Sequence, residues 1–193
     1  FRKMLRFTAF ISFPAMFGLA LIAHELIVIS VTDKWLDSVP ILQLLCIWGA
    51  FLPILSLYSN LIISKGKSDI YMWNTIALGI LQVIVMLLAY PYGIHTMIVA
   101  FVTVNIVWML VWHYFVWQQI RLSLWNALKD VIPFATLAGI TMIVTYYATR
   151  SIGNIYLLFT AKVVIAAILY TLLMWGSNSV VFKESIQFLK KKK

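Results

Sequence analysis

Long stretches without a charged residue dominate this sequence. Asp, Glu, Lys and Arg are absent from residues 7–23, 38–64, 70–120, 131–149 and 163–182. Each stretch meets or approaches the roughly 20 apolar residues that an α-helix needs to cross the hydrocarbon core of a bilayer. The pattern therefore predicts a series of membrane-spanning helices.

The longest of these stretches, residues 70–120, has about twice the length of one span. Because Pro91, Tyr92 and Gly93 form a turn signal within it, we predict two helices with a tight connection. The chain then has six spans, which lie near residues 7–31, 39–63, 70–90, 96–117, 131–148 and 156–175. The predicted fold class is an all-α integral membrane domain over residues 1–182, followed by a basic tail over residues 183–193.

Composition agrees with a membrane protein. Hydrophobic residues make up 63% of the 193 residues and charged residues only 11%, whereas a soluble domain usually carries about 25% charged residues. The first apolar run is not a cleavable signal, because it lacks a small-residue cleavage site and further spans follow it. The chain begins with Phe1 instead of Met, so we expect a fragment of a longer protein whose upstream part is missing.

Lys and Arg report the orientation of a membrane protein, because cytoplasmic loops retain them. Six spans place 12 of the 15 basic residues on one side, which we predict to be cytoplasmic together with both ends of the chain. The opposite side has Lys34 and Arg150, and Lys162 falls within the last span. The 12 are Arg2, Lys3, Arg6, Lys65, Lys67, Arg121, Lys129, Lys183 and residues 190–193.

Two ionisable residues fall at similar depth inside predicted spans. Glu25 lies near the outer end of the first span, and Lys162 lies near the outer start of the last. A charged group inside a span costs about 2.5–3.5 kcal/mol, so each needs a partner, a wet cavity or a path to the interface. Three interpretations stay open: an ion pair, a role in proton or sodium coupling, and a vestibule of Glu25 and His24 from which Lys162 reaches the headgroups.

The sequence predicts no catalytic residue. Of the six carboxylates only Glu25 lies within a predicted span, and neither a nucleophile-elbow serine nor a glycine-rich phosphate loop occurs. Asp33 and Asp37 share a short outer loop, where they either face one substrate or form a solvated turn that caps the next helix. A helical bundle with short connections suits transport, so we predict that the chain is not an enzyme.

No metal site and no cofactor are predicted. His24, His95 and His113 lie on different spans or loops, without the spacing of metal ligands. Cys46 is the only cysteine, so no disulfide can form within the chain. Its position in an apolar run favours a packed, inert thiol.

One region carries a pattern beyond hydrophobicity. A helix with an early proline, Phe13-Pro14, ends in a short acidic and aromatic turn over residues 32–38. The next helix opens with Val-Pro-Ile-Leu-Gln-Leu-Leu over residues 39–45 and closes with an Asn and a Gly-Lys turn over residues 60–67. In order and spacing, this region resembles the C-terminal half of bacterial polysaccharide flippases of the multidrug/oligosaccharidyl-lipid/polysaccharide exporter superfamily.

The resemblance implies a carrier of twelve to fourteen helices in two lobes around a central cavity, of which this chain supplies the C-terminal lobe. Such carriers move undecaprenyl-diphosphate-linked sugar units to the outer leaflet of the bacterial inner membrane by alternating access. The implied partners are membrane lipid, the lipid-linked oligosaccharide and the missing N-terminal lobe of the same protein. The net charge of +9 then reflects topology, and no nucleic-acid partner is predicted.

A diphosphate lipid as substrate requires positive charge at the cytoplasmic mouth of the carrier. Arg6, Lys65 and Lys67 are the candidates for that contact, and topological retention is the alternative explanation for all three. Three other functions stay open: a drug or small-molecule exporter of the same superfamily, a membrane-embedded envelope glycosyltransferase or ligase, and a non-catalytic subunit.

Overall fold

The computed structural model describes residues 1–176, and these residues form α-helices joined by short connections, without a β-strand. The basic tail predicted over residues 183–193 lies outside the described residues. The helices are α1 Arg2–Leu21, α2 Ala23–Val31, α3 Ser38–Ser64, α4 Ser68–Ala89, α5 Ile94–Ile120, α6 Leu124–Thr149 and α7 Ile155–Gly176.

Within residues 1–176, six helical segments are long and apolar enough to cross a membrane: α1, α3, α4 with its continuation to Tyr92, α5, α6 and α7. The predicted all-α fold with six spans is therefore confirmed. At most 28% of the residues in the apolar window of any span are buried within the chain. Since most apolar side chains point outward, lipid or further protein helices must cover them.

The first predicted span is not one continuous helix. The sequence predicted a helix over residues 7–31, but the structure has α1 and α2 with a break at Ile22. Ile22 has φ −94° and ψ 5°, which interrupts the helical repeat although its N–H still bonds the Gly18 carbonyl. The break falls neither at a proline nor at a glycine, and Pro14 lies inside α1. The hydrophobic pattern therefore gave no sign of it.

The start of α6 also differs from the prediction, because the helix begins at Leu124, well before the predicted span. Predicted spans were drawn from charge-free stretches, which placed Asp130 in a loop. In the structure Asp130 is a buried residue of α6, and Arg2 and Arg6 neutralise its charge there. The early start of α1 at Arg2 has the same physical cause.

Helix α1 lies at the centre of the bundle. It packs against α3 on one side and α6 on the other, while α5 packs on α3, α4 on α5, and α7 on α6. Helix α2 contacts α3 and α7. Because lipid is as apolar as the side chains, close packing and hydrogen bonds hold such helices together. The largest fully buried apolar side chains are Phe13, Leu5, Ile54, Ile62, Met174 and Val116.

The antiparallel course of the helices defines two ends of the bundle. We call the end that holds the start of α1, the α3–α4 connection and the α5–α6 connection the basic end. There Phe1 stacks on Tyr58 of α3, with ring centroids 6.0 Å apart. The opposite end holds α2 and the α2–α3 connection. An ionic site lies toward each end.

Candidate functional site

An ion pair lies inside the bundle, toward the end opposite the basic end. Lys162 Nζ on α7 donates a hydrogen bond of 2.6 Å to Glu25 Oε1 on α2. The two side chains are only 8% and 3% exposed, respectively. The structure therefore brings together the two ionisable residues that the sequence singled out. Lys162 turns inward to Glu25 instead of reaching the headgroups.

The polar environment of this pair leaves one carboxylate oxygen open. Glu25 Oε2 is buried and has no hydrogen-bond partner among the described residues. The ring centroid of Tyr146 lies 5.9 Å from Lys162 Nζ, within the range of a cation–π contact. A carboxylate has two oxygens that accept hydrogen bonds, so Oε2 keeps its acceptor capacity while Oε1 is bonded to Lys162.

The helix break supplies a further polar group to the pair. Lys162 Nζ also donates to the Leu21 carbonyl at 3.2 Å. One residue earlier, the Ala20 carbonyl accepts a hydrogen bond from Gln43 Nε2 of α3, also at 3.2 Å. A break frees backbone carbonyls, and inside a membrane these must find partners in protein or water. Side chains of α3 and α7 thus hold the joint between α1 and α2.

A second ionic site, the Asp130 cluster, consists of Arg2, Arg6 and Asp130 at the basic end. Arg2 donates two hydrogen bonds to Asp130, from Nε to Oδ2 at 2.6 Å and from Nη2 to Oδ1 at 3.0 Å. Arg6 Nε donates to Oδ1 at 2.6 Å. The Asp130 side chain is 2% exposed, whereas those of Arg2 and Arg6 are 46% and 39% exposed. The buried carboxylate therefore anchors two half-exposed guanidiniums.

Sequence reasoning missed this cluster. It assigned Arg2 to topology and Asp130 to a loop, although the spacing of α6 carries a signal. The buried residues of this helix recur at intervals of three or four, and Asp130 falls on their face. They are Ala127, Asp130, Phe134, Ala138, Thr141, Thr145 and Thr149.

The three predicted diphosphate contacts share one end of the bundle but do not form one cluster. Arg6 is fixed by its ion pair with Asp130. Lys65 and Lys67 are exposed in the connection between α3 and α4. The basic partners of Asp130 are Arg2 and Arg6, and neither lysine takes part.

Polar side chains also join α4 to α5. Gln82 Nε2 donates to Asn105 Oδ1 at 3.0 Å, and Trp108 Nε1 donates to Asn74 Oδ1 at 2.7 Å. Both contacts lie within spans, where interhelical hydrogen bonds contribute to association. Gln82 and Asn105 therefore connect the two helices.

The histidines do not lie together. In the described part of the chain, no three His, Cys, Asp or Glu side chains are close enough to hold a metal ion. His24 and His95 are exposed, and Cys46 is buried. His113 Nδ1 lies 3.2 Å from the hydroxyl of Tyr58, which links α5 to α3.

The connection between α2 and α3 carries two exposed aspartates. Asp33 lies in a short 3-10 turn, Asp33–Trp35, and Asp37 precedes the first residue of α3. Asp37 occupies the N-cap position of α3, as the solvated-turn alternative predicted, but its side chain makes no capping hydrogen bond. This acidic turn remains a surface connection between two spans.

The fold and the two ionic sites define a polytopic α-helical membrane protein. Residues 1–40 match the protein family described as Polysaccharide biosynthesis protein. The matched segment comprises α1, α2 and the start of α3, and it includes Arg2, Arg6 and Glu25. No solved structure is significantly similar to the chain.

Curated relatives are similar over part of the chain. An uncharacterized membrane protein in the cps region of Klebsiella pneumoniae is 39% identical over 70 residues, which cover 36% of this chain and 14% of the relative. The lipopolysaccharide biosynthesis protein WzxC of Escherichia coli K12 is 31% identical, with the same two coverages of 36% and 14%. The teichuronic acid biosynthesis protein TuaB of Bacillus subtilis is 30% identical over 76 residues, covering 39% and 16%.

These matches confirm the predicted resemblance to membrane proteins of polysaccharide biosynthesis. The family match over residues 1–40 overlaps the first part of the region on which the resemblance rested. The aligned segments span 14–16% of the length of these relatives. Lys65, Lys67 and Asp130 lie beyond the residues that match the family.

Proposed function

We propose that this chain forms part of a carrier that flips undecaprenyl-diphosphate-linked polysaccharide repeat units across the bacterial inner membrane by alternating access. The units would serve lipopolysaccharide, O-antigen or capsule biosynthesis. The observation that carries the proposal is the match of residues 1–40 to a polysaccharide biosynthesis family, in a chain that folds as six membrane-crossing helices. The relatives' names refer to lipopolysaccharide, teichuronic acid and a cps region, which supports an envelope polysaccharide as cargo.

The internal architecture supports a carrier without enzymatic activity. Glu25 and Asp130 are each paired with basic side chains on another helix. Such carboxylates join helices, whereas acid–base catalysis needs a group that exchanges a proton with the substrate. Interrupted helices like α1–α2 form substrate and ion sites in many transporters. A membrane-embedded transferase is the rival that these features disfavour.

In this proposal the basic end of the bundle faces the cytoplasm, because cytoplasmic loops retain Lys and Arg. Arg6, Lys65 and Lys67 then lie at the mouth where the diphosphate of the substrate enters. The carrier would be completed by an N-terminal lobe of the same protein, and membrane lipid would surround both lobes.

Reconstitution tests the proposed function. The full-length protein is placed in proteoliposomes with a lipid-linked oligosaccharide, and the sugar that reaches the opposite leaflet is measured with an impermeant glycosidase. Protein-dependent transfer of the sugar supports the carrier. Efflux of small drugs without sugar movement would favour a drug exporter, and attachment of the sugar to an acceptor would favour a transferase.

Lys65 and Lys67 provide a test of the cytoplasmic mouth. Replacing both with Gln is expected to lower the flipping rate roughly fivefold, because two exposed charges contribute about 0.5 kcal/mol each to attraction of the diphosphate. Insertion into the membrane is expected to stay unchanged. Lys34→Gln, which removes an exposed charge at the opposite end, is the control, and equal flipping by the double variant would exclude the lysine pair as substrate contacts.

Glu25 is the proposed site of proton or sodium coupling, because its buried Oε2 atom has no hydrogen-bond partner among the described residues. Glu25→Gln preserves the size of the side chain and removes its charge. We expect flipping by this variant to lose its dependence on an imposed proton or sodium gradient, which is measured in the same proteoliposomes. An unchanged rate with an unchanged ion dependence would remove Glu25 from the coupling mechanism.

A further inference from the structure

The Asp130 cluster contains more positive charge and more hydrogen-bond donors than its carboxylate uses. Each guanidinium carries five N–H donors. Two donors of Arg2 and one donor of Arg6 form hydrogen bonds to Asp130. One carboxylate faces two cations, so a net positive charge remains. Because Asp130 is buried and both arginines are half exposed, that charge is presented at the surface of the basic end.

The geometry of Arg2 is suited to a second anion. Arg2 meets Asp130 side-on, through Nε and Nη2. A side-on contact leaves the far end of the guanidinium, with outer N–H groups on both terminal nitrogens, clear of the carboxylate. That fork matches a pair of phosphate oxygens. Arg6 binds Asp130 through Nε, and this bond uses neither terminal nitrogen.

We propose that Arg2 and Arg6 form a phosphate-binding site that takes the diphosphate of a lipid-linked substrate, and that Asp130 is the positioning residue that aims both guanidiniums. The identity of the ligand rests on the proposed function. The arginines are four residues apart, so they share one face of α1 about 6 Å apart along its axis. Both guanidiniums also bond the same Asp130 carboxylate, so they lie close enough for one diphosphate group to contact both.

The competing explanation is that Asp130 only fastens α6 to α1, while the arginines contact ordinary phospholipid headgroups as other basic residues do. Phosphate is the chemistry common to both ligands, and the number of linked phosphates distinguishes them. A site built from two aimed guanidiniums prefers a diphosphate, whereas diffuse attraction follows the total charge.

Binding is measured with the full-length protein in phosphatidylcholine nanodiscs, using farnesyl diphosphate as the probe. The triple variant Arg2→Gln, Arg6→Gln, Asp130→Asn removes the charges without leaving a buried carboxylate unpaired. It is expected to bind at least about tenfold more weakly than the wild type, since two charge-assisted contacts are lost. Lys129→Gln lowers the net charge by the same amount, next to the cluster but outside it, and is expected to bind like the wild type.

Asp130→Asn alone tests the positioning role, because simple electrostatic attraction and loss of positioning predict opposite changes in probe binding. The substitution raises the net positive charge, so simple attraction would tighten binding of the probe. Loss of the anchor is expected instead to weaken binding and to reduce the preference for the probe over inorganic phosphate. Asp130→Glu, which keeps a carboxylate at this position, is expected to retain part of the binding and part of the preference. Tighter binding by Asp130→Asn would overturn the positioning role.

Four further outcomes decide the ligand and separate the site from the proposed function. Phosphatidylglycerol in the nanodiscs that competes with the probe as strongly as a free diphosphate does would overturn the diphosphate site. Unchanged binding by the triple variant would overturn it as well. Probe binding that depends on Arg2 and Arg6, without any flipping of lipid-linked sugar, would support the site and refute the carrier. Flipping by a triple variant that binds normally would support the carrier and refute the site.

Discussion

Replacing Lys162 with Met is expected to lower the free energy of unfolding by about 3–5 kcal/mol, which is the usual cost of removing one partner of a buried ion pair. Methionine fills much of the space but leaves Glu25 as an unpaired carboxylate, 3% exposed, and the Leu21 carbonyl without its lysine donor. The loss is measured by equilibrium unfolding with sodium dodecyl sulfate in mixed micelles.

The double variant Glu25→Gln, Lys162→Met identifies the cause of that loss. No charge remains buried, so stability is expected to recover by more than half of the loss, and the two substitutions are therefore non-additive. Lys34→Met, at an exposed position of the same end, is the matched control and is expected to stay within about 0.5 kcal/mol of the wild type. A loss below about 1 kcal/mol in Lys162→Met would show that water or lipid headgroups reach the pair.

The count of six spans could be predicted from the sequence because a bilayer permits few alternatives. A backbone without water must satisfy its own hydrogen bonds, so an apolar stretch of sufficient length becomes a helix. The helix starts at Arg2 and Leu124 could not be predicted in the same way. The prediction ended each span at its first charged residue. In the bundle, however, Arg2 and Asp130 neutralise each other although they are distant in sequence, so both are able to lie within helices.

The Glu25–Lys162 pair was accessible to sequence reasoning because both residues interrupt apolar runs at matching depth. The break at Ile22 was not accessible in this way. The backbone carbonyls that it frees accept hydrogen bonds from Gln43 and Lys162, which lie on distant helices. Local sequence specifies where a helix is able to form, whereas tertiary partners decide where it is interrupted. The joint of α1 and α2 is therefore a property of the packed bundle.

Replacing Arg2 and Arg6 together with Gln is expected to lower the free energy of unfolding by about 3–5 kcal/mol, because the 2%-exposed carboxylate of Asp130 then has no cation. Each single substitution is expected to cost much less than the double substitution, since the other arginine still neutralises Asp130. The effect is thus strongly non-additive. The same unfolding measurement gives all three values.

Adding Asp130→Asn to the double variant is expected to recover most of the lost stability, because the unpaired charge disappears. Asp130→Asn alone is expected to cost less than about 1.5 kcal/mol, since the half-exposed guanidiniums that it leaves can be solvated by water. Additive single losses, or no recovery in the triple variant, would show that Asp130 is not an unpaired buried charge in the double variant. The most buried member of an ionic cluster therefore determines how much stability is lost when its partners are removed. That member is Asp130 at the basic end, whereas Glu25 and Lys162 are both buried at the other end.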